Sequence, residues 1–235
     1  MMKMIPQERN IQLSIIIVNY NGQHYLQDCL KSIKHCCASI THEVVIVDNA
    51  SSDGSQLYIK KQFSEVVLVE NKSNAGFAKA NNIGVKQAKG EVILLLNNDT
   101  ILLNDFSSLL YEVRKKEVGA ITIKMLNSDR NYTPSFGKFP KAHSLLKLAN
   151  LNDTREDLVT GEFKKSEYQI DWISGSFIMV TKKDWNLIHG LDEDYFMYVE
   201  DVDFCKRLQS INENIFVVPK SKIYHLGGQA VDPKY

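Results

Sequence analysis

The 235-residue chain has no run approaching the ~18 consecutive apolar residues that a membrane-spanning helix needs. Its first ten residues, Met1 to Asn10, include lysine, proline and arginine and hold no apolar core of signal-peptide length. Net charge is missing too. The 28 Lys and Arg balance 28 Asp and Glu, which leaves no electrostatic footprint for nucleic acid. Cysteine is sparse: Cys29, Cys36, Cys37 and Cys205 fit no zinc-ribbon spacing, and sequence neighbours such as Cys36 and Cys37 rarely bridge each other. Reduced thiols in a cytoplasmic protein are therefore expected. The signatures G-x-G-x-x-G and G-x-x-x-x-G-K-[ST] are absent, which counts against an ordinary dinucleotide fingerprint and against a P-loop. There is no internal repeat and no low-complexity segment. The length suits one large α/β domain or two small ones, with enough chain to bury a real core.

What is present is organised around Asn71 to Thr100. A turn carrying Gly76 leads into a helix bearing the small residues Ala78, Ala80, Gly84 and Ala88. The turn Lys89-Gly90 follows, then the wholly apolar strand Val92 to Leu96, which stops on Asn97-Asn98-Asp99. Five apolar residues in a row predict a strand covered on both faces. An acid at the carboxyl end of such a strand sits where open α/β sheets place ligands, so Asp99 is the first candidate for chemistry. Upstream, strands are predicted at 13–18, 43–47 and 66–69 and helices at 25–34 and 56–63. That alternation argues for a largely parallel sheet with helical crossovers. The strand ends supply Asn19/Tyr20, Asp48/Asn49 and Asn98/Asp99 to one shared crevice. Asp48 in that position holds a ribose or base, or it caps a turn or helix.

The second half is less regular. A helix is expected at 105–116 and strands at 119–123, 177–180, 215–218 and 222–225. Between them, 127–167 is polar, carries Pro134, Gly137 and Pro140, and reads as a binding loop or lid. A short helix at 183–188 is expected to end at Gly190. Asp192 to Asp203 packs six acids among aromatics. From Asp201 the apolar spacing of Val202, Cys205 and Leu208 predicts a helix. Asp203 and Arg207 fall at i and i+4, an ordinary surface ion pair, and acids at 200 and 201 suit a helix start on dipole grounds alone. Trp172 is either a sugar-stacking platform or a core residue. His225, beside Gly227 and Gly228, is a candidate ligand, though a lone histidine is more often structural.

Taken together, the segments Val18-Asn19-Tyr20-Asn21, Val47 to Ser55, Asn74 to Asn81, Leu96 to Thr100, Trp172 to Gly175, Glu200 to Asp203 and His225 to Gly228 resemble a family-2 glycosyltransferase of GT-A fold. They occur in the family's order over nearly the whole chain. Within the family, the sequence is most similar to the bacterial branch that includes rhamnosyltransferases of surface polysaccharides. The resemblance implies a single Rossmann-like α/β domain over 1–235, with a mostly parallel central sheet flanked by helices. Residues 11–104 would be its nucleotide-sugar half and 105–235 its acceptor half. It also implies inverting transfer from a nucleotide-sugar donor, dTDP-rhamnose or a UDP-sugar, to a glycan or lipid-linked glycan acceptor in surface polysaccharide synthesis. That work would take place in the cytoplasm, at the inner membrane face, with peripheral membrane contact and oligomeric state left open. Nucleotide contacts are assigned to Val18, Tyr20, Asp48, Asn74, Gly76 and Asn98. Mg²⁺ or Mn²⁺ is assigned to Asp99 and His225, acceptor contacts to Trp172 and Gly175, and the base to Asp201 with Glu200 beside it. The first acid of the family's D-x-D is Asn97 here. Relatives often continue past the His-Gly-Gly segment, so a stop at Tyr235 marks a short member or a truncated chain. Two other readings compete. A sugar-nucleotide pyrophosphorylase would need a glycine-rich basic loop where Asn19-Tyr20-Asn21-Gly22 stands. A non-catalytic nucleotide-sugar-binding protein draws only on Asn97.

Overall fold

The computed structural model describes residues 10–139, 155–211 and 213–227. Residues 140–154 of the expected loop, Gly228 and the end at Tyr235 lie outside them. In chain order the elements are β1 (Leu13–Asn19), α1 (Gln23–Cys36), β2 (His42–Asp48), α2 (Ser55–Gln62), β3 (Val67–Glu70), α3 (Phe77–Gln87) and β4 (Val92–Leu96). Then come β5 (Thr100–Leu102), α4 (Ser107–Glu112), β6 (Val118–Leu126), β7 (Phe136–Gly137), α5 (Glu156–Thr160), β8 (Tyr168–Ile170), β9 (Trp172–Ile173) and β10 (Phe177–Thr181). The chain continues through α6 (Lys182–Leu187), α7 (Glu200–Ser210) and β11 (Asn214–His225).

Nine strands form one sheet in the order β3-β2-β1-β4-β10-β6-β11-β5, with β8 on the side of β11. The pairs β1–β2, β1–β4, β2–β3 and β6–β11 are parallel, and β1–β2 and β6–β11 carry the longest registers. Antiparallel pairs join β10 to β4 and β6, and β11 to β5 and β8. Alternation in β1 explains the layers. Leu13, Ile15 and Ile17 join the α1, α2 and α4 side chains on one face, and Ile16 joins those of α3, α6 and α7 on the other. The small residues of α3 let it lie close to the sheet: a Cβ at Gly84 would run into Ile16 and Val47. All four cysteines are free and buried.

Several expected elements shift. The 105–116 helix shortens to α4, and the two strands at 215–218 and 222–225 are one strand, β11, whose register shifts between Val218 and Lys222. Within 127–167, β7 and α5 are ordered elements, and β8 begins just beyond. Gly190 does take a left-handed conformation just past α6, and His189 before it does the same. Arg207 is more than a surface partner of Asp203. Its Nε lies 2.7 Å from Asp203 Oδ2, and its Nη1 donates at 2.6 Å to both Ile188 O and Gly190 O. It therefore ties α7 to the turn that ends α6.

Candidate active site

The strand order reverses at β1 and β4: β2 and β3 extend to one side of β1, and β4 lies on the other. Residues just past the carboxyl ends of both strands, Tyr20 after β1 and Asn97 to Asp99 after β4, line one crevice there. A cavity of about 640 Å³ fills it, a normal size for a small-molecule site. Of the residues singled out from sequence, Val18, Tyr20, Asn74, Gly76, Asn98, Asp99, Gly175, Glu200, Asp201 and His225 all line it. Two do not. Asp48 is fully buried beneath the floor, where it accepts from Asn19 Nδ2 at 2.9 Å, Ser51 N at 2.9 Å and Gln56 Nε2 at 2.7 Å. The bond from Ser51 N caps the turn after β2, while the N-cap of α2, Gly54, receives no side-chain hydrogen bond. Trp172 lies against Gly137, donates from Nε1 to Lys138 O at 3.2 Å and packs on the core, so it offers no stacking face to the cavity.

The floor is a web of side-chain amides. Asn98 Nδ2 donates to Asn19 Oδ1 at 2.8 Å, and Asn19 passes the link to Asp48. Asn49 Nδ2 donates to Asn74 Oδ1 at 3.1 Å and to Gly76 O at 3.2 Å. Asn19 and Asn49 both donate and accept, Asn98 donates and Asn74 accepts, so the web holds three loops in one register. Asn19 and Asn49 sit at strand ends and were visible in the sequence, but nothing there showed which amides were committed to each other.

His225 reaches the site because β5 and β11 pair antiparallel, with Thr100 opposite His225. Leu226 N also donates to Asp99 O at 3.0 Å. Asp99 is buried, and its Oδ1 has no hydrogen-bond partner even though His225 Nε2 is only 3.2 Å away. The Asn97 amide nitrogen stands 3.3 Å from the same Nε2, whose role as donor or acceptor depends on the tautomer. With the lone pair on Nε2, two electron-rich atoms would face each other. Adjacent ligands of an octahedral ion, each at ~2.1 Å, lie about 3 Å apart, so the pair suits a divalent cation. Among the described residues no cluster of three or more His, Cys, Asp or Glu could hold a metal. Substrate oxygens and water would have to complete the shell.

The start of α7 also lines the cavity. Asp201 Oδ2 accepts from Gly175 N at 3.0 Å and Oδ1 from Val202 N at 2.8 Å, which fixes the carboxylate. Burial pushes its pKa up despite these bonds. Glu200 is 5% exposed, its Oε2 has no partner, and burial raises its pKa from 4.5 to about 7. The folded state therefore holds a proton that the unfolded chain gives up, and stability falls as pH climbs from 4.5 to 7. Glu200→Gln removes this charge. It is expected to stabilise the fold by roughly 1–3 kcal/mol at pH 8 and to lose that advantage near pH 4.5. Urea titrations of both proteins at the two pH values check it.

Over the crevice runs a strap, Tyr195 to Val199. Phe77 N, at the start of α3, donates to Phe196 O at 2.8 Å. A Cβ on Gly76 would strike that same carbonyl, and Gly76 has φ of +80°, so glycine is required there twice over. Met197, Tyr198 and Val199 line the cavity, as do Ser174, Ser176, His24 and Tyr25, none of which the sequence marked as site residues.

The Glycosyl transferase family 2 profile matches residues 14–173, and the profile described as the N-terminal domain of galactosyltransferase matches 158–228. Rhamnosyltransferase WbbL of Escherichia coli is 28% identical over 226 residues, covering 90% of this chain and 82% of that one. The N-acetylglucosaminyl-diphospho-decaprenol L-rhamnosyltransferase of Mycobacterium tuberculosis is 24% identical, covering 91% and 75%. Among solved structures, GalNAc-T7 with UDP, GalNAc and Mn²⁺ superposes with a TM-score of 0.72 at 17% identity, over 94% of this chain and 45% of that one. The Pyrobaculum calidifontis mannosyltransferase PcManGT, in complex with GDP-Man and Mn²⁺, gives 0.66 at 16% identity, over 95% and 59%. The chain thus spans about half the length of these two structures.

Proposed function

The chain belongs to glycosyl transferase family 2, and from that membership we propose that it transfers a sugar from a nucleoside diphosphate to a glycan hydroxyl, with inversion at the anomeric carbon. It is a glycosyltransferase of GT-A fold, similar to rhamnosyltransferases of glycan synthesis. Among the described residues no helix is long and apolar enough to cross a membrane. The donor proposed is dTDP-rhamnose or a UDP-sugar. The acceptor proposed is a glycan on a lipid carrier, presented at the inner membrane face.

One observation carries this reading. A single cavity is lined by both the Asp99–His225 pair and the Glu200–Asp201 pair. Inverting transfer needs a group that helps the diphosphate leave and, on the far side of the sugar, a base for the acceptor hydroxyl. Asp99 and His225 would hold the divalent ion, with Asn98 and the amide web fixing their loop. The ion, Mg²⁺ or Mn²⁺, would supply neutralisation of charge on the leaving diphosphate. Val18, Tyr20, Asn74 and Gly76 would embrace the nucleoside. Asp48 would act from beneath by holding Asn19. Asp201, held by two backbone N–H groups, keeps its remaining lone pairs for the acceptor proton. Glu200, protonated in part near neutral pH, can donate a hydrogen bond to an acceptor or donor hydroxyl. Gly175 places its N–H on Asp201 and so positions the base, whereas Trp172 supports the core behind it.

The test is donor binding by calorimetry, with dTDP-, UDP- and GDP-sugars, each with and without Mn²⁺. Binding of one nucleotide class that strengthens with Mn²⁺ is expected. Binding indifferent to Mn²⁺ would remove the Asp99–His225 role, and no binding by a folded protein would remove the transferase reading of this site.

A further inference from the structure

We propose that Phe77 is a positioning residue for the base. Its ring seats Gly175 and its backbone N–H seats the strap, and together these two contacts fix where Asp201 stands. The inference rests on the transferase reading above and deepens it.

Phe77 opens α3, a helix whose N-cap, Gly76, has no side chain to satisfy the first N–H groups. Phe77 N finds its partner outside the helix, in Phe196 O of the strap at 2.8 Å. The turn just before it is tied to the floor of the crevice. Asn74 Oδ1 accepts from Gly76 N at 3.0 Å and from Asn49 Nδ2 at 3.1 Å. Phe77 therefore starts from backbone that the amide web has already fixed.

The ring reaches Gly175. A Cβ built on Gly175 would stand 2.8 Å from Phe77 Cε1 and 3.0 Å from Cζ, well inside van der Waals contact. The third nearest heavy atom, at 3.9 Å, is Cδ1 of the same ring. Only a residue without a side chain lets the ring come this close. Gly175 N is also the donor to Asp201 Oδ2 at 3.0 Å. Gly175 lies in the turn between β9 and β10, and glycine backbone is the freest to move. The ring bounds that turn on its bare side and keeps the N–H aimed at the carboxylate.

The strap makes the second link. It enters α7 through Tyr198 and Val199, with φ of +69° and +71°, where a bulky and a β-branched side chain are strained. Such backbone persists only where its surroundings over-determine it. Here the bonds are Phe77 N on Phe196 O at one end and Asp203 N on Val199 O, at 2.9 Å, at the other. Glu200 and Asp201 follow directly. Phe77, next to the proposed nucleotide contact Gly76, thus holds the base through its Gly175 partner and through the segment that leads into it. The rival role for an aromatic residue lining the cavity is stacking on the nucleoside, which makes no demand on Gly175.

NMR reads Gly175 directly, with no substrate present. Its amide proton should shift as Asp201 titrates, since a hydrogen bond to an ionised carboxylate is the stronger one. Asp201→Asn gives the reference, which also carries any influence of Glu200. In Phe77→Ala the pH-linked shift should fall to less than about half of the wild-type value. Phe77→Leu should fall between the two, and it carries the test if the alanine variant does not fold. The second measurement is release of nucleoside diphosphate to water from whichever donor of the calorimetry panel binds. Its kcat in Phe77→Ala should drop roughly 10- to 100-fold, the scale of a misplacement near 1 Å, while donor Kd stays within about threefold. Gly175→Ala, whose methyl would displace the ring, should lower kcat by a similar factor alone and add little in Phe77→Ala. An unchanged Gly175 titration in the Phe77 variants overturns the proposal, as do fully additive losses. A weaker donor Kd with kcat intact makes the ring a nucleoside contact and overturns it too. If the titration falls as expected but the folded wild type binds no donor, the link from Phe77 to Asp201 stands and the transferase reading fails.

Discussion

Asp201→Asn is expected to lower turnover by about 10²–10⁴-fold, the span a positioned general base contributes. The amide is nearly isosteric but cannot take a proton. It also cannot accept from both Gly175 N and Val202 N as the carboxylate does, because one of its two atoms is now a donor. The structural cost is the loss of one hydrogen bond, about 1 kcal/mol, far less than the catalytic one. Donor affinity should barely change, because the Asp99 wall is untouched. In the wild type, burial raises the Asp201 pKa above the ordinary 3.8, so the acid limb of kcat/KM should lie above that value and should vanish from the residual activity of the variant. Steady-state rates from pH 4 to 8 for both proteins decide the matter. Full activity in Asp201→Asn would move the base to Glu200.

Asp99→Ala should separate stability from function. In the wild type with nucleoside diphosphate present, Mn²⁺ at about 100 times its Kd should contribute ~2.7 kcal/mol, or roughly 5–10 °C in Tm for a chain of this size. The variant should show no such rise, and transfer should fall on the order of 10²-fold or more. Without metal, however, its denaturation midpoint should equal or exceed that of the wild type. Asp99 Oδ1 has no hydrogen bond to lose, and a buried polar atom without a partner is a cost in itself. Thermal scans with and without Mn²⁺ give both halves of the result. An equal metal response in both proteins would place the ion elsewhere.

The sequence made the first hundred residues legible because β1, β2 and β4 are buried runs closed by polar turns, a pattern that period and punctuation both report. Its limits were physical. β5 is three residues long and follows a polar turn, too short for any periodicity, yet it alone brings Thr100 opposite His225. β11 reads as two strands because Pro219 and Ser221 interrupt the apolar pattern, while the backbone carries on through a register shift. β8 is stabilised by pairing with β11, a partner far along the chain that no local window contains. Asp48 and Trp172 show the same limit at the site. Both stand in segments typical of the family, but where each side chain points depends on partners such as Gln56 and Gly137 that sequence order does not reveal. Asp99, Glu200 and Asp201 were legible because unpaired or clustered acids beside buried apolar runs demand an explanation.

The long reach of β11 has a consequence for how the protein assembles. Asn97 and His225 meet although they are 128 residues apart in sequence. The strands β1 to β4 have nearer neighbours to pair with, whereas the Asp99–His225 pair waits for the last described strand to dock against β6 and β5. Contacts of such separation form late, since the entropy of closing the intervening chain must be met before they reward it. A partly folded chain would thus hold much of its nucleotide crevice with only half of its cation site. In the proposed reading, the cation site would therefore mark completed folding, and an immature molecule would be kept from engaging donor in a productive way.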